Sequence, residues 1–181
     1  ARAQLDELGL VSTGRFDFTT ELGEALAGAQ FVQENGPENE AVKRALLREI
    51  DALASPDAII ASSTSALVRS AIVADCATPA RIIVAHPFNP PHLVPLVEIV
   101  GEDAEVIARA VDYYRAQARR PVVLNREMPG HIANRLASAL YREAVFLVEQ
   151  GVASVADIDA ALCHGPGLRW AAVGPLTPID L

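Results

Sequence analysis

The sequence predicts an open, doubly wound α/β sheet followed by an all-helical region. Three observations carry that expectation. Short apolar runs alternate with amphipathic stretches of helical period over roughly the first 125 residues, the pattern of strands joined by crossover helices. Beyond residue 125 the strand signal stops and only helical periodicity remains. Finally, 51% hydrophobic and 21% charged content in 181 residues suits a chain that buries a core rather than a disordered one.

Taken in order, residues 1–10 place apolar side chains at helical spacing and read as the end of a helix that begins earlier. Residues 11–17 form a connector, with a short strand over 16–18. Thr19 or Thr20 is expected to cap a helix carrying Leu22, Leu26 and Ala29. After a strand over 29–34, Asn35-Gly36-Pro37 opens a long helix, because proline has its φ preset for the first turn and lacks only a donor that would be unpaired there. The expected buried face of that helix is Val42, Leu46, Ile50 and Leu53.

A buried strand over 58–61 ends at the hydroxyl cluster Ser62, Ser63, Thr64 and Ser65. Residues 66–74 are helical by composition, and Pro79 leads into a strand over 81–85, after which His86 stands at a sheet edge facing a cleft. Beyond Pro90-Pro91 come a strand over 94–100, a helix over 102–118 with Val106, Ala110 and Tyr113 or Tyr114 on its apolar face, and a strand over 121–124. A domain boundary is placed at 125–129, giving a sheet domain over 1–125 and a helical domain over 126–181. In the latter, 130–150 reads as one long helix that His131 begins, Ser154 caps a second that His164 ends, and 165–175 is a glycine and proline loop.

Charge and composition narrow the function. A net charge of −8 and no basic run longer than Arg119-Arg120 leave no footprint for nucleic acid. No apolar stretch reaches the ~20 residues needed to span a bilayer, so no membrane partner is expected. Cys76 and Cys163 have neither pairing nor metal-ligand spacing, and His86, His92, His131 and His164 form no metal set, so no metal is expected and the cytoplasm is the default compartment. Cofactor phosphates stay possible, since backbone amides at a helix start bind them without a positive surface.

Four residues are candidates for chemistry. His86 is of the type that exchanges protons near neutral pH, or is a hydrogen-bonded core histidine. Glu98 sits in an apolar run, where a carboxylate is costly unless paired; it either partners His86 or faces water from an edge. Ser65 donates to a substrate oxygen or caps a helix. Asn134 offers an amide from a helix, or faces solvent.

Ser62-Ser-Thr-Ser65, His86-Pro-Phe-Asn-Pro-Pro91, Leu96-Val-Glu98, Pro129-Gly-His-Ile-Ala-Asn-Arg135 and Gly165-Pro-Gly-Leu-Arg-Trp-Ala171 together resemble the 3-hydroxyacyl-CoA dehydrogenase family, in its lambda-crystallin or L-gulonate 3-dehydrogenase branch. The resemblance implies an NAD-binding Rossmann-type domain over 1–125 and a substrate and dimerisation domain over 126–181, hence a homodimer through the helices. It implies NAD as cofactor and a small hydroxy acid or 3-hydroxyacyl-CoA as substrate. Catalytic roles fall on His86 as base, Glu98 as its partner, Ser65 and Asn134; cofactor-binding roles fall on Glu38, Lys43, Ser65 and Asn89. Substrate binding falls on Ser65, Asn134 and Arg169, the last pairing a substrate carboxylate or standing as a surface charge. No Gly-x-Gly-x-x-Gly turn is present, so the first βαβ unit is expected to be absent and the helical domain incomplete. The alternative is a catalytically silent, crystallin-like module that keeps the fold. A related dehydrogenase class with a lysine base fits less well, because no lysine follows residue 125.

Overall fold

A computed structural model describes residues 14–176, which fall into two compact units divided between Pro129 and Gly130. The expected helix over 1–10 lies outside the described residues. In the first unit, helix α1 (Leu22–Leu26) precedes strand β1 (Phe31–Glu34), helix α2 (Glu40–Leu53), strand β2 (Ile59–Ser62) and the one-turn helix α3 (Arg69–Ile72). A 3-10 turn (Pro79–Arg81), β3 (Ile82–Pro87), β4 (Leu96–Val100), α4 (Ala104–Ala116) and β5 (Arg120–Val123) complete it. The second unit contains α5 (Ala133–Glu149), α6 (Val155–His164) and α7 (Pro166–Ala172).

The five strands lie in sequence order. β1, β2 and β3 are parallel, β4 runs antiparallel to β3, and β5 is parallel to β4. Strand side chains alternate between faces, and both faces are covered. Ile60, Ile82, Val84 and Val100 pack with Leu26 of α1, Leu47 and Ile50 of α2 and Ile72 of α3. Ile59, Ala61, Ile83, Ala85, Val97 and Ile99 pack on the opposite face with Ala110 and Tyr114 of α4. This is the doubly wound sheet expected from the alternating pattern, and the Rossmann-like fold that the resemblance implies.

Several local expectations are corrected. Residues 15–19 are irregular rather than a strand, and Phe16 and Phe18 are exposed there. Thr19 and Thr20 precede α1 without capping it: Glu21 is the N-cap, and Thr19 Oγ1 accepts from the Glu21 amide at 3.0 Å. Pro37 does not open α2. Asn39 does, its side chain accepting from the Val42 amide at 3.1 Å, the stronger start signal because it satisfies an orphan donor. The buried face of α2 is Lys43, Leu47, Ile50 and Asp51, whereas Val42 and Leu53 are exposed. Counting apolar residues alone turned the face, since two of its members are charged and buried in ion pairs.

The regular helix within 66–74 shrinks to α3. Gly130 and His131 have positive φ values of 75° and 52°, which delay α5 to Ala133, so His131 does not begin it. Much of the expected loop over 165–175 is helix, with Pro166 at its first position, where proline is well tolerated. Ser154 caps α6 as expected, accepting from the Asp157 amide at 3.2 Å. β5 is an edge strand with Val122 and Val123 exposed, a setting that tolerates Pro121.

At the amino end of β3 a buried ion pair fastens α2 to the sheet. Asp51 accepts from the Ala77 and Thr78 amides at 2.7 and 2.9 Å and from Arg81 Nε at 3.0 Å, while Arg81 also donates to the Ser55 and Asp51 carbonyls. Removing one member strands a buried charge, so Arg81→Met should cost about 3–5 kcal/mol in urea denaturation of the intact protein. A loss below about 1 kcal/mol would match an exposed pair instead.

Candidate active site

The carboxyl ends of β1, β2 and β3 lie side by side, the side of a parallel sheet on which ligands bind. Each strand delivers polar groups there. The register of β3 against β4 sets His86 opposite Glu98, on the face that carries Ile82, Val84 and Val100. His86 Nδ1 lies 3.0 Å from Glu98 Oε2, with exposures of 3% and 1%. Burial at this depth requires the pairing, and Phe88 packs edge-on against the imidazole at 6.2 Å between ring centroids. His86 is therefore inside β3, not beyond its end at an exposed sheet edge. Pro87 stands opposite Val97 at a non-hydrogen-bonded position, since the next amide, that of Phe88, donates to the Leu96 carbonyl at 3.1 Å, so the proline takes no donor from this ladder.

The loops after β1 and β2 are joined by Glu38. Its Oε1 accepts from Thr64 Oγ1 at 2.6 Å and from the Ser65 and Ala66 amides at 2.9 and 3.0 Å. Burial pushes this carboxyl up, but the Thr64 hydroxyl, the Ala66 and Ser65 amides and the nearby Lys43 ammonium outweigh it and hold the group below the usual carboxylate range. Lys43 is 1% exposed. Its Nζ donates to Glu34 Oε1 and Oε2 at 2.9 and 3.1 Å and to the Gly36 carbonyl at 3.1 Å, and stands 3.8 Å from Glu38 Oε2.

The first unit thus groups the sequence-predicted residues into two sets, His86 with Glu98 and Glu38 with Lys43 and Ser65. Asn89 is exposed in the loop after β3. Asn134 lies in the first turn of α5 and Arg169 in α7, both in the second unit. Glu34 was not anticipated, and Thr64 only as a member of the hydroxyl cluster at the end of β2. A charged residue closing a four-residue strand was the available signal for Glu34. Among the described residues, no buried side-chain nitrogen or oxygen lacks a partner, no group of three or more His, Cys, Asp or Glu could hold a metal, and no helix is long and apolar enough to cross a membrane.

The arrangement can hold a proton acceptor with a fixed partner beside half-buried and exposed polar groups. Glu38 and Asn89 are exposed and Ser65 is half-buried, so loops after three adjacent parallel strands offer a carboxylate, an amide and a hydroxyl to solvent. That donor and acceptor set, at that end of the sheet, fits the riboses and amide of a dinucleotide.

Comparison with known proteins identifies the family. Residues 8–128 match the profile described as 3-hydroxyacyl-CoA dehydrogenase, NAD binding domain, and residues 130–181 match the C-terminal domain of the same family. The L-carnitine dehydrogenase of Bacillus cereus is 46% identical over 183 residues, covering 98% of this chain and 56% of the relative. The 3-hydroxyacyl-CoA dehydrogenase of Gibberella moniliformis is 43% identical over 165 residues, covering 89% of this chain and 51% of the relative. Among solved structures, an NAD+ dependent dismutase, the 5-dehydrogenase of 5-formyl-3-hydroxy-2-methylpyridine 4-carboxylic acid, superposes with a TM-score of 0.88 at 38% identity, over 98% of this chain and 60% of that one. The chain spans about half the length of the curated relatives it matches. With two consecutive family profiles matching in order across nearly its whole length, the chain belongs to the 3-hydroxyacyl-CoA dehydrogenase family.

Proposed function

We propose that the intact protein oxidises the hydroxyl of a small 3-hydroxy acid with NAD, and that His86 is the base. The buried His86–Glu98 pair, 3.0 Å apart, is the observation that carries this reading. The pairing at Nδ1 fixes the imidazole tautomer, so that Nε2 takes the proton of the substrate hydroxyl, and Glu98 stabilises the imidazolium that results. In the reverse direction the imidazolium returns that proton to the forming alcohol. Bound NAD would supply the hydride acceptor, while the residues of the protein orient the carbon that bears the hydroxyl toward it.

The remaining residues bind and orient. Ser65 and Asn134 hold the substrate oxygen and Arg169 pairs the substrate carboxylate, a geometry in which a guanidinium excels. Glu38, Lys43, Ser65 and Asn89 serve the cofactor side. For the substrate, L-carnitine is the first candidate, because relatives at 46% identity bear that dehydrogenase name. L-gulonate, suggested by Pro87 and the Gly-Leu-Arg-Trp segment, likewise carries its reacting hydroxyl on the third carbon from a carboxylate. A homodimer is part of the same reading.

Three measurements test it. His86→Ala in the intact protein should lower kcat by about 10²–10⁴-fold, and Glu98→Gln by about 10²-fold or more, with NADH affinity within about twofold of wild type for both; activity surviving within tenfold in His86→Ala rejects the base. On a panel of L-carnitine, L-gulonate, 3-hydroxybutyrate and 3-hydroxybutyryl-CoA, a free acid should show the highest kcat/KM, and a clear preference for the thioester overturns the substrate class.

The third concerns pH. Because the Glu38 carboxyl is held below its ordinary value, its grip on the loop is present above about pH 4.3 and is lost as pH falls through its folded value. Any weakening of NADH binding by Glu38→Gln should therefore be constant between about pH 5 and pH 8. A loss that fades within that window would show Glu38 titrating there.

A further inference from the structure

Glu34 closes β1 with its side chain wholly buried, and its carboxylate bonds to three segments around the site: the loop after β1, α2 and the end of β2. Oε2 accepts from Ser62 Oγ at 2.5 Å, where Ser62 is its register partner at the end of β2. Oε1 accepts from the Gly36 amide and, with Oε2, holds Lys43 of α2. The main chain joins in, the Ser63 amide donating to the Glu34 carbonyl at 2.9 Å.

A buried carboxylate is expensive unless fully paired, and an apolar residue could close this strand at no such cost. What the carboxylate provides is placement. Lys43 stands between two carboxylates, bonded to Glu34 and 3.8 Å from Glu38 Oε2. Glu38 in turn binds Thr64 Oγ1 and the Ser65 and Ala66 amides. The backbone is shaped to the same end: a Cβ on Gly36 would come within 2.9 Å of Glu34 Oε1 and 3.1 Å of Leu46 Cδ2, so a side chain there would displace the carboxylate.

We propose that Glu34 is a positioning residue for the cofactor and substrate site. Through Lys43 it sets the Glu38 carboxylate, and through Glu38 and Ser62 it sets the loop 63–66 that presents Ser65. The consequence for binding rests on the functional reading above; the consequence for the loop does not.

The test is amide hydrogen exchange on the intact, cofactor-free protein, with NADH titration alongside. In Glu34→Gln, exchange over 63–67 should rise at least about tenfold while β2 and β3 stay protected, and NADH should bind about tenfold more weakly. Gly36→Ala, which crowds the same carboxylate and keeps its charge, should change both in the same direction by less, and it serves if Glu34→Gln does not fold. Unchanged exchange over 63–67 in both variants overturns the proposal. So does a rise spread over β2 and β3 with NADH affinity per folded molecule unchanged, which would make Glu34 a stability element only. Neither readout needs turnover: if wild-type protein fails to bind NADH or oxidises no hydroxy acid, the functional reading falls and exchange alone decides the positioning.

Discussion

The reversal of β4 against β3 is the constraint on which the site depends. An antiparallel partner lets residues only twelve apart in sequence, His86 and Glu98, stand opposite each other on one face. Both sit deep in the sheet, so neither tolerates being unpaired. A slip of one residue would turn Glu98 to the other face, against Ile83 and Ala85, and would bring Ile99 to the face it left, leaving two buried polar groups without each other. Register and chemistry are therefore specified by the same pair. Isoleucine and valine on both sides of it, at Val84 and Val100 and at Ile99, make any alternative pairing worse.

Charged groups within the sheet unit sort to its two ends, and the ends differ. At the amino end of β3, Arg81 and Asp51 bond to each other and to backbone, and Arg69 donates to the Ile82 and Pro79 carbonyls. These groups are buried and spend their hydrogen bonds on main chain, which suits fastening of helices to sheet. At the carboxyl end the buried members, Glu34, Lys43 and His86, lead outward to partly exposed ones, Glu38, Ser65 and Asn89. Only such a gradient, fixed inside and open outside, can bind a polar ligand without losing its own geometry.

How much of this was legible in the sequence follows from which interactions are local. The alternation of short apolar runs with helical stretches revealed the layered sheet, and a histidine and a glutamate in successive apolar runs pointed to each other because each would be costly alone. Glu34 escaped notice, and Lys43 entered only through the family resemblance, for the same physical reason that they matter. Each is buried only because the other is, and no pattern of period 2 or 3.6 marks a charged residue as facing inward. Asp51 repeats the case, and together with Lys43 it turned the expected face of α2. Pro166 misled differently, since glycine and proline spacing suggests a loop although proline at a first helical position favours a helix. Gly130 and His131 lie in the left-handed region, a conformation that only the second of them makes surprising.

The role proposed for the His86–Glu98 pair is indifferent to substrate. An imidazole held by a carboxylate accepts a proton from a secondary alcohol whatever is attached beyond it, which is why one fold serves several hydroxy compounds. On that proposal, discrimination has to come from walls that the imidazole does not form. The loop after β3 adjoins the imidazole, and it is tied down by its main chain: the Val94 amide bonds to the Pro90 carbonyl at 2.9 Å, the Arg120 amide to the Pro95 carbonyl at 2.8 Å, and Arg119 donates to the Pro91 carbonyl. Pro87 and Phe88 join that loop directly to His86. A change at Pro87 would reshape the space beside the imidazole while the Nδ1 bond to Glu98, made one strand position earlier, stays as it is. On the proposed function, substrate choice can thus vary within such an architecture at little cost to the His86–Glu98 pair.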